Sequence, residues 1–437
     1  MWLLPLFSPI ARAAAQIYYR VRFDGPSIPA SGPVLLVANH PNSLLDPTLV
    51  VAAAGRPVRF LAKAPLFSDR RIGWLVRAAG AIPVYRRADD PALMDRNEDA
   101  FRAVFSALAS GSAVGIFPEG VSHSAPGMAP LKTGAARIAL GAAAITRRAF
   151  PIVPVGLSFQ EKDIFRSEAL VVRGQPIAWD DLAARSADAA AAVRELTARI
   201  DYALRTVTVN LESWEDRPIV EAAVRIWEAE QGDHSRAAER VSRLDLTTRL
   251  LARARETGDA EGLALASDIR HHTRRLSRLG LRPGDLTADV RTSQAVRWAA
   301  RRLHLVMPFG ALLAVAGAML FWIPYRLTGV VVDRLRLDQD VRSTWKLLVG
   351  IVLYAAWLGL LTWGAGATLG LAGAAACLVG VPAVGMAGLI VRERWAESWG
   401  DVRRFFLLRA RGSMIGSLRQ RQLDLARRLN EMLEKQR

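Results

Sequence analysis

The fold class predicted for this 437-residue chain is an α/β domain, then a helical region, then C-terminal transmembrane helices. Three observations predict it. From Gly25 to about Asp180, short apolar runs alternate with segments of helical periodicity. From Asp181 to about Arg301 the chain reads as helices, alanine-rich and then arginine-rich. Beyond Leu303 come stretches too apolar for a soluble fold. The length suits two or three domains and a substantial core.

Met1 to Ile10 is apolar but short and has no basic residue ahead of it, unlike a cleaved signal peptide. Continued by Ala13 to Tyr19, it reads as a membrane-interface segment, residues 1–24. The α/β domain is placed at 25–180. Its strand candidates are Val34–Ala38, Val58–Leu61, Ala81–Tyr85, Ala113–Phe117, Ile152–Phe159 and Ala169–Val172. Its helix candidates are Leu44–Ala54, Ile72–Ala79, Ala92–Leu108 and Thr133–Arg148. That alternation is an α/β layer arrangement around a largely buried sheet, and such folds bind ligands where strands end.

The helical region is placed at 181–302, with breaks near Gly232-Asp233, Gly258 and Pro283-Gly284. Arg270, Arg274, Arg275 and Arg278 read either as a solvated face or as contacts to anionic membrane lipids. His271 and His272 are read as surface residues of the same helix. Membrane segments are expected at 303–325, 347–367 and 370–391. Leu347 to Val391 carries no charge and is about twice the ~20 residues one span requires, dividing near Gly364 to Gly370. Three full spans would put the two chain ends on opposite sides, although both flanks are arginine-rich. Pro308 and Pro324 leave a re-entrant or interfacial first segment as the other reading. Residues 392–437 read as a basic cytoplasmic tail, with the α/β domain on the same side of an inner or cell membrane.

Lys and Arg number 58 against 41 Asp and Glu, a formal net charge of +17, and mean hydropathy is +0.16. The balance suits an anionic partner: a lipid surface, a phosphorylated substrate or an acidic carrier protein. The basic residues lack interleaved aromatic stacking positions, which argues against nucleic acid. The single cysteine, Cys377, excludes an internal disulfide and a multi-cysteine metal site, and no metal is expected.

The chemistry concentrates after the strands. Ala38-Asn39-His40-Pro41-Asn42-Ser43-Leu44-Leu45-Asp46 puts an imidazole and a carboxylate just past an apolar strand. They are the minimum equipment for taking a proton from an alcohol. With no serine elbow or usable cysteine alongside, they point to direct acyl transfer onto a hydroxyl. Arg86 and Arg87 follow the strand at Ala81–Tyr85 and suit a phosphate or carboxylate. Phe117-Pro118-Glu119-Gly120 follows the next strand, and Leu131-Lys132-Thr133-Gly134 opens a helix where a lysine and free N–H groups can hold an anion. Ile152-Val153-Pro154-Val155-Gly156 is an apolar strand able to line an acyl channel.

These four blocks, in this order and spacing, resemble the glycerolipid acyltransferase superfamily, with its glycerol-3-phosphate and 1-acylglycerol-3-phosphate acyltransferases. The likeness covers about Gly25 to Arg173 and implies a glycerol-3-phosphate acyltransferase-like α/β domain. It implies catalytic roles for His40 and Asp46, and acceptor-phosphate contacts from Arg86 and Lys132. By the same likeness Glu119 and Gly120 shape the acceptor site. Two departures stand out. Five residues separate His40 from Asp46 where most members have four, so the pair must meet across the turn that Pro41-Asn42-Ser43 provides. After Glu119-Gly120 the usual Thr-Arg is replaced by Val121-Ser122-His123. Both are similar to the branch of fungal glycerol-3-phosphate/dihydroxyacetone-phosphate acyltransferases. Ser122 and His123 then join the expected acceptor contacts, His123 standing in for the arginine or lying merely near the cleft.

The resemblance further implies acyl-CoA or acyl carrier protein as donor substrate, no other cofactor, and glycerol 3-phosphate or a lysophospholipid as acceptor. A thioesterase or lipase using His40 to activate water is the competing enzyme class. That class has no use for a phosphate site, so Arg86 and Lys132 argue against it.

Overall fold

The computed structural model describes residues 4–70, 73–85, 97–183, 190–231, 237–287, 306–410 and 412–435. The chain divides into two compact units. The first comprises Met1–Asp216, Ser235–Thr248 and Asp338–Thr344; the second takes the rest.

The first unit is a seven-stranded sheet in the order β1-β7-β6-β2-β5-β3-β4. The strands are β1 (Arg20–Asp24), β2 (Val34–Ala38), β3 (Val58–Lys63), β4 (Ile82–Val84), β5 (Ala113–Ile116), β6 (Ile152–Phe159) and β7 (Glu168–Arg173). All neighbours pair in parallel except β6 and β7. Every residue of β2 is buried, as its run Val-Leu-Leu-Val-Ala demands of a central parallel strand. The expected α/β class is therefore present. Arg20–Asp24 differs from its reading as part of the membrane-interface segment: it is an edge strand, held to β7 through its backbone.

The helices of the chain include α3 (Pro65–Ser68), α4 (Gly73–Ala78), α7 (Asp180–Ala183) and α10 (Ala237–Thr257). Helices cover both faces of the sheet. On one, α1 (Leu4–Tyr18) packs on α2 (Leu45–Ala54), burying Ala11, Ala15 and Tyr18 while Ile10 and Ile17 stay exposed. On the other, α5 (Asn97–Ala109), α6 (Gly134–Thr146) and α8 (Ala190–Val207) close a core with Leu35, Val114, Leu140, Ile152 and Leu196. Ile152, Val153 and Val155, read as able to line an acyl channel, are buried within the sheet. The crossover from β2 runs through α2 to β3, and that from β5 runs through α6 to β6, in opposite directions. Right-handed crossovers then carry the two helices to opposite faces, leaving a crevice beyond the carboxyl ends of adjacent β2 and β5. His40 and Glu119 stand at that crevice.

In the second unit, α9 (Arg217–Gln231), α11 (Ala260–Leu279) and the last helix, Gly412–Glu434, bury Ile219, Ile226, Leu265, Ile269, Leu425 and Leu429 together. The end of the basic tail is thus a packed helix, because Leu418, Leu425 and Leu429 form an apolar stripe at helical spacing. His272 also departs from its surface reading. It lies on the inner face of α11 with Ile269 and Leu276, 3% exposed, and its Nε2 is 3.4 Å from Gln422 Oε1. His271, Arg270, Arg274, Arg275 and Arg278 are exposed.

Burial pushes the His272 pKa down from its ordinary value. The unfolded chain therefore takes up the proton first, and stability is lost as pH falls through about 6.5. His272→Gln, which keeps a polar partner for Gln422, is expected to flatten the drop in unfolding midpoint between about pH 7.5 and about pH 5.5. An unchanged drop would remove His272 as its source.

Among the described residues, two helices are long and apolar enough to cross a membrane: Val306–Arg334, through Phe309–Arg334, and Gln339–Ala410, through Gln339–Arg394. Phe309, Met319, Trp322, Val352 and Trp363 are exposed on them. The second helix is broken at Gly370, whose φ of 69° and ψ of −165° suit glycine alone.

Candidate active site

β2 ends at Ala38 and delivers Asn39 and His40 to the crevice. Asn39 prolongs the ladder with its side chain. Its Nδ2 donates to the Leu157 carbonyl at 3.0 Å, and its Oδ1 accepts from the Leu157 N–H at 2.7 Å. The chain after His40 then turns back through Ser43, which takes a positive φ of 47°. Asp46 thereby enters the first turn of α2, where a carboxylate complements the helix dipole. The turn closes the five-residue gap: His40 Nδ1 is 2.9 Å from Asp46 Oδ2.

Asp46 is fully buried, and Oδ2 also accepts from the Asn42 N–H at 2.6 Å. Burial pushes its carboxyl above the usual range, and the hydrogen bonds from His40 and Asn42 oppose that rise. With Nδ1–H donating to Asp46, the Nε2 lone pair is available, and Nε2 makes no hydrogen bond among the described residues. The His40 side chain is 19% exposed. Its ring stacks on Phe117 at 4.0 Å between centroids, and Phe117 stacks on Phe60 at 5.5 Å. Gly115 makes room for this pile: a Cβ there would sit 2.3 Å from the Phe60 ring.

Glu119 is 2% exposed and ties three segments together. Oε1 accepts from the His40 N–H at 2.8 Å. Oε2 accepts from the Ala129 N–H at 2.7 Å and lies 2.5 Å from His123 Nε2. His123 Nδ1 accepts from the Ala125 N–H at 3.2 Å, so the ring proton belongs on Nε2 and is donated to Glu119. Gly120 adopts a positive φ of 73°, and a Cβ on it would lie 2.7 Å from Lys132 Nζ. The glycine thus turns the chain and lets the exposed Lys132 lie across it.

His40, Asp46, Glu119, Gly120, Ser122, His123 and Lys132 therefore gather at one crevice. Ser122 and His123, read from sequence as acceptor contacts, have their polar atoms taken up by protein partners. Ser122 Oγ donates to Asp340 at 2.6 Å and accepts from the Ser43 N–H at 3.1 Å. Arg86 lies outside the described residues, as does Arg87.

The sequence reading missed Tyr19, Asn42 and Phe117. Asn42 is fully buried; its Nδ2 donates to Tyr19 Oη at 2.7 Å, and Tyr19 donates onward to the Lys162 carbonyl. A second asparagine in the His40 turn was the available signal for Asn42. No local signal marks Tyr19.

Residues 20–158 match the family model described as acyltransferase. Over 275 residues the chain is 27% identical to glycerol-3-phosphate O-acyltransferase 2 of Saccharomyces cerevisiae, covering 59% of this chain and 36% of that protein. Over 132 residues it is 30% identical to the chloroplastic 1-acyl-sn-glycerol-3-phosphate acyltransferase LPAT1 of Arabidopsis thaliana, covering 29% of this chain and 35% of that one. The chain thus spans about a third of the length of these two relatives. The crystal structure of the 1-acyl-sn-glycerophosphate (LPA) acyltransferase PlsC from Thermotoga maritima is 20% identical, with a TM-score of 0.35 over 47% of this chain and 78% of that one. Blocks and family model converge on residues 20–158, which form an acyltransferase domain similar to those of the glycerolipid acyltransferase superfamily.

Proposed function

We propose that this protein is a membrane-bound O-acyltransferase of phospholipid biosynthesis. It moves a fatty acyl group from acyl-CoA or acyl carrier protein to a hydroxyl of glycerol 3-phosphate or lysophosphatidic acid. The observation that carries this reading is His40, held through Nδ1 by buried Asp46, with Nε2 at the mouth of the sheet making no hydrogen bond among the described residues. Asp46 fixes the tautomer. Nε2 takes the hydroxyl proton as the acceptor oxygen bonds to the thioester carbonyl carbon. The C–S bond then breaks, and the proton passes from His40 to the departing thiolate. The acyl group goes straight from sulfur to oxygen, without an acyl-enzyme. Lys132, and Arg86 by the family likeness, meet the acceptor phosphate. The two apolar helices anchor the chain in a membrane, where an acyl product would be released.

The test is purified full-length protein in detergent with labelled acyl-CoA. The acceptor panel is glycerol 3-phosphate, dihydroxyacetone phosphate, lysophosphatidic acid and a neutral lysolipid. Ester formation on a phosphorylated acceptor is the expected result. Transfer to the neutral lysolipid alone would replace the reading with lysophospholipid remodelling. Thiol release without any acceptor would replace it with a thioesterase.

A further inference from the structure

Residues Asp338–Thr344 belong to the first unit although they lie about 300 positions beyond the His40 turn. They lead into and form the first turn of the apolar helix Gln339–Ala410. Four of them engage the acyltransferase domain. Ser343, fully buried, donates through Oγ to Asn42 Oδ1. Thr344 Oγ1 accepts from the Leu44 N–H at 3.2 Å. Asp340 Oδ2 accepts from Ser122 Oγ at 2.6 Å, and Arg342 pairs with Asp163 at 3.7 Å.

Two of these bonds end on the loop that sets the His40–Asp46 geometry, and a third reaches it through Ser122. Asn42, gripped by Ser343, donates its N–H to the Asp46 oxygen that faces His40. Leu44, gripped by Thr344, immediately precedes α2, whose first turn carries Asp46. Ser122, gripped by Asp340, accepts from the N–H of Ser43, the residue with positive φ. The loop has no glycine to stabilise that backbone, so its shape depends on bonds to its polar groups. A hydroxyl or carboxylate that fixes such a turn places Asp46, and Asp46 places the His40 ring.

We infer that Asp340, Ser343 and Thr344 are positioning residues of the acyltransferase site, supplied by the start of the C-terminal apolar helix. The inference rests on the reading of His40 as the base. The domain matched at residues 20–158 is then incomplete without a turn contributed from residues 338–344. The device acts on turnover, through the orientation of the base, rather than on acceptor affinity.

The test compares the full-length wild type with S343A/T344V, D340A, D340N and H40A in the acyl-CoA assay, recording kcat, acceptor KM and the pH dependence of kcat. S343A/T344V is expected to lower kcat by about 10- to 100-fold, the scale of a displaced catalytic group, with KM within about twofold. Its pH profile of kcat should differ from that of the wild type, because Asp46 is the group bonded to the His40 ring. D340A should lower kcat, and D340N, which keeps an acceptor for Ser122, should restore most of it. That pair carries the test if the double variant does not fold. Wild-type kcat and pH profile in S343A/T344V and D340A, a loss confined to KM, or equal loss in D340A and D340N would overturn the inference. H40A separates the two levels: if it turns over like wild type the proposed function fails, and if it alone is inactive only this inference does.

Discussion

Replacing His40 with alanine is expected to lower acyl transfer by about 10²–10⁴-fold, the usual contribution of a positioned general base. The fold is expected to persist at reduced stability. The ring is partly exposed, and its backbone N–H bond to Glu119 does not need the side chain. The structural losses are the stack on Phe117, worth on the order of 1 kcal/mol, and the hydrogen bond to buried Asp46, about 1–3 kcal/mol. The checking measurement pairs kcat with the unfolding midpoint of the first unit. A collapse of both would turn His40 into a structural residue. A loss of kcat alone leaves it as the base.

Glu119→Ala is expected to damage both stability and activity. It strands the N–H groups of His40 and Ala129 and the His123 ring N–H, all now donating to one buried carboxylate. Unsatisfied buried donors cost about 1–3 kcal/mol each, and water entering the crevice will offset part of that. A net loss on the order of 3 kcal/mol is expected. The His40 main chain would lose its anchor, and kcat should fall about 100-fold with it. Glu119→Gln keeps an acceptor for the His40 N–H but turns an amide toward two other donors, so its loss should be intermediate. Denaturant unfolding followed alongside transfer activity checks the order wild type, Gln, Ala. A stable, active Glu119→Ala would show that the three segments hold without this link.

Much of the α/β domain is legible in the chain because its central strands are pure apolar runs. Val34–Ala38 and Ile152–Phe159 match their expected bounds. β1 is not legible, since Arg-Val-Arg-Phe-Asp carries little apolar signal and joins the sheet through backbone bonds. The meeting of His40 with Asp46 follows from turn-forming residues across a six-position step. The grip of Ser343 and Asp340 on that turn cannot be read locally, because nothing in Asp338–Thr344 marks a partner about 300 positions earlier. Likewise the pile of Phe60, Phe117 and His40 depends on β3 lying beside β5, a fact of sheet order. The burial of His272 did have a signal. Leu265, Ile269, His272 and Leu276 share one helical face, which the surrounding arginines obscure. Arg86 lies outside the described residues, so its proposed role at the acceptor phosphate rests on the family likeness.

The role proposed for His40 is that of the base in direct acyl transfer from a thioester to an acceptor hydroxyl. Its most direct test is thiol release from acyl-CoA, with product ester counted in the same sample, for wild type and H40A with and without glycerol 3-phosphate or lysophosphatidic acid. The expected result is release that requires the acceptor, equals the ester formed, and nearly vanishes in H40A. Release without acceptor, or undiminished transfer by H40A, would contradict it.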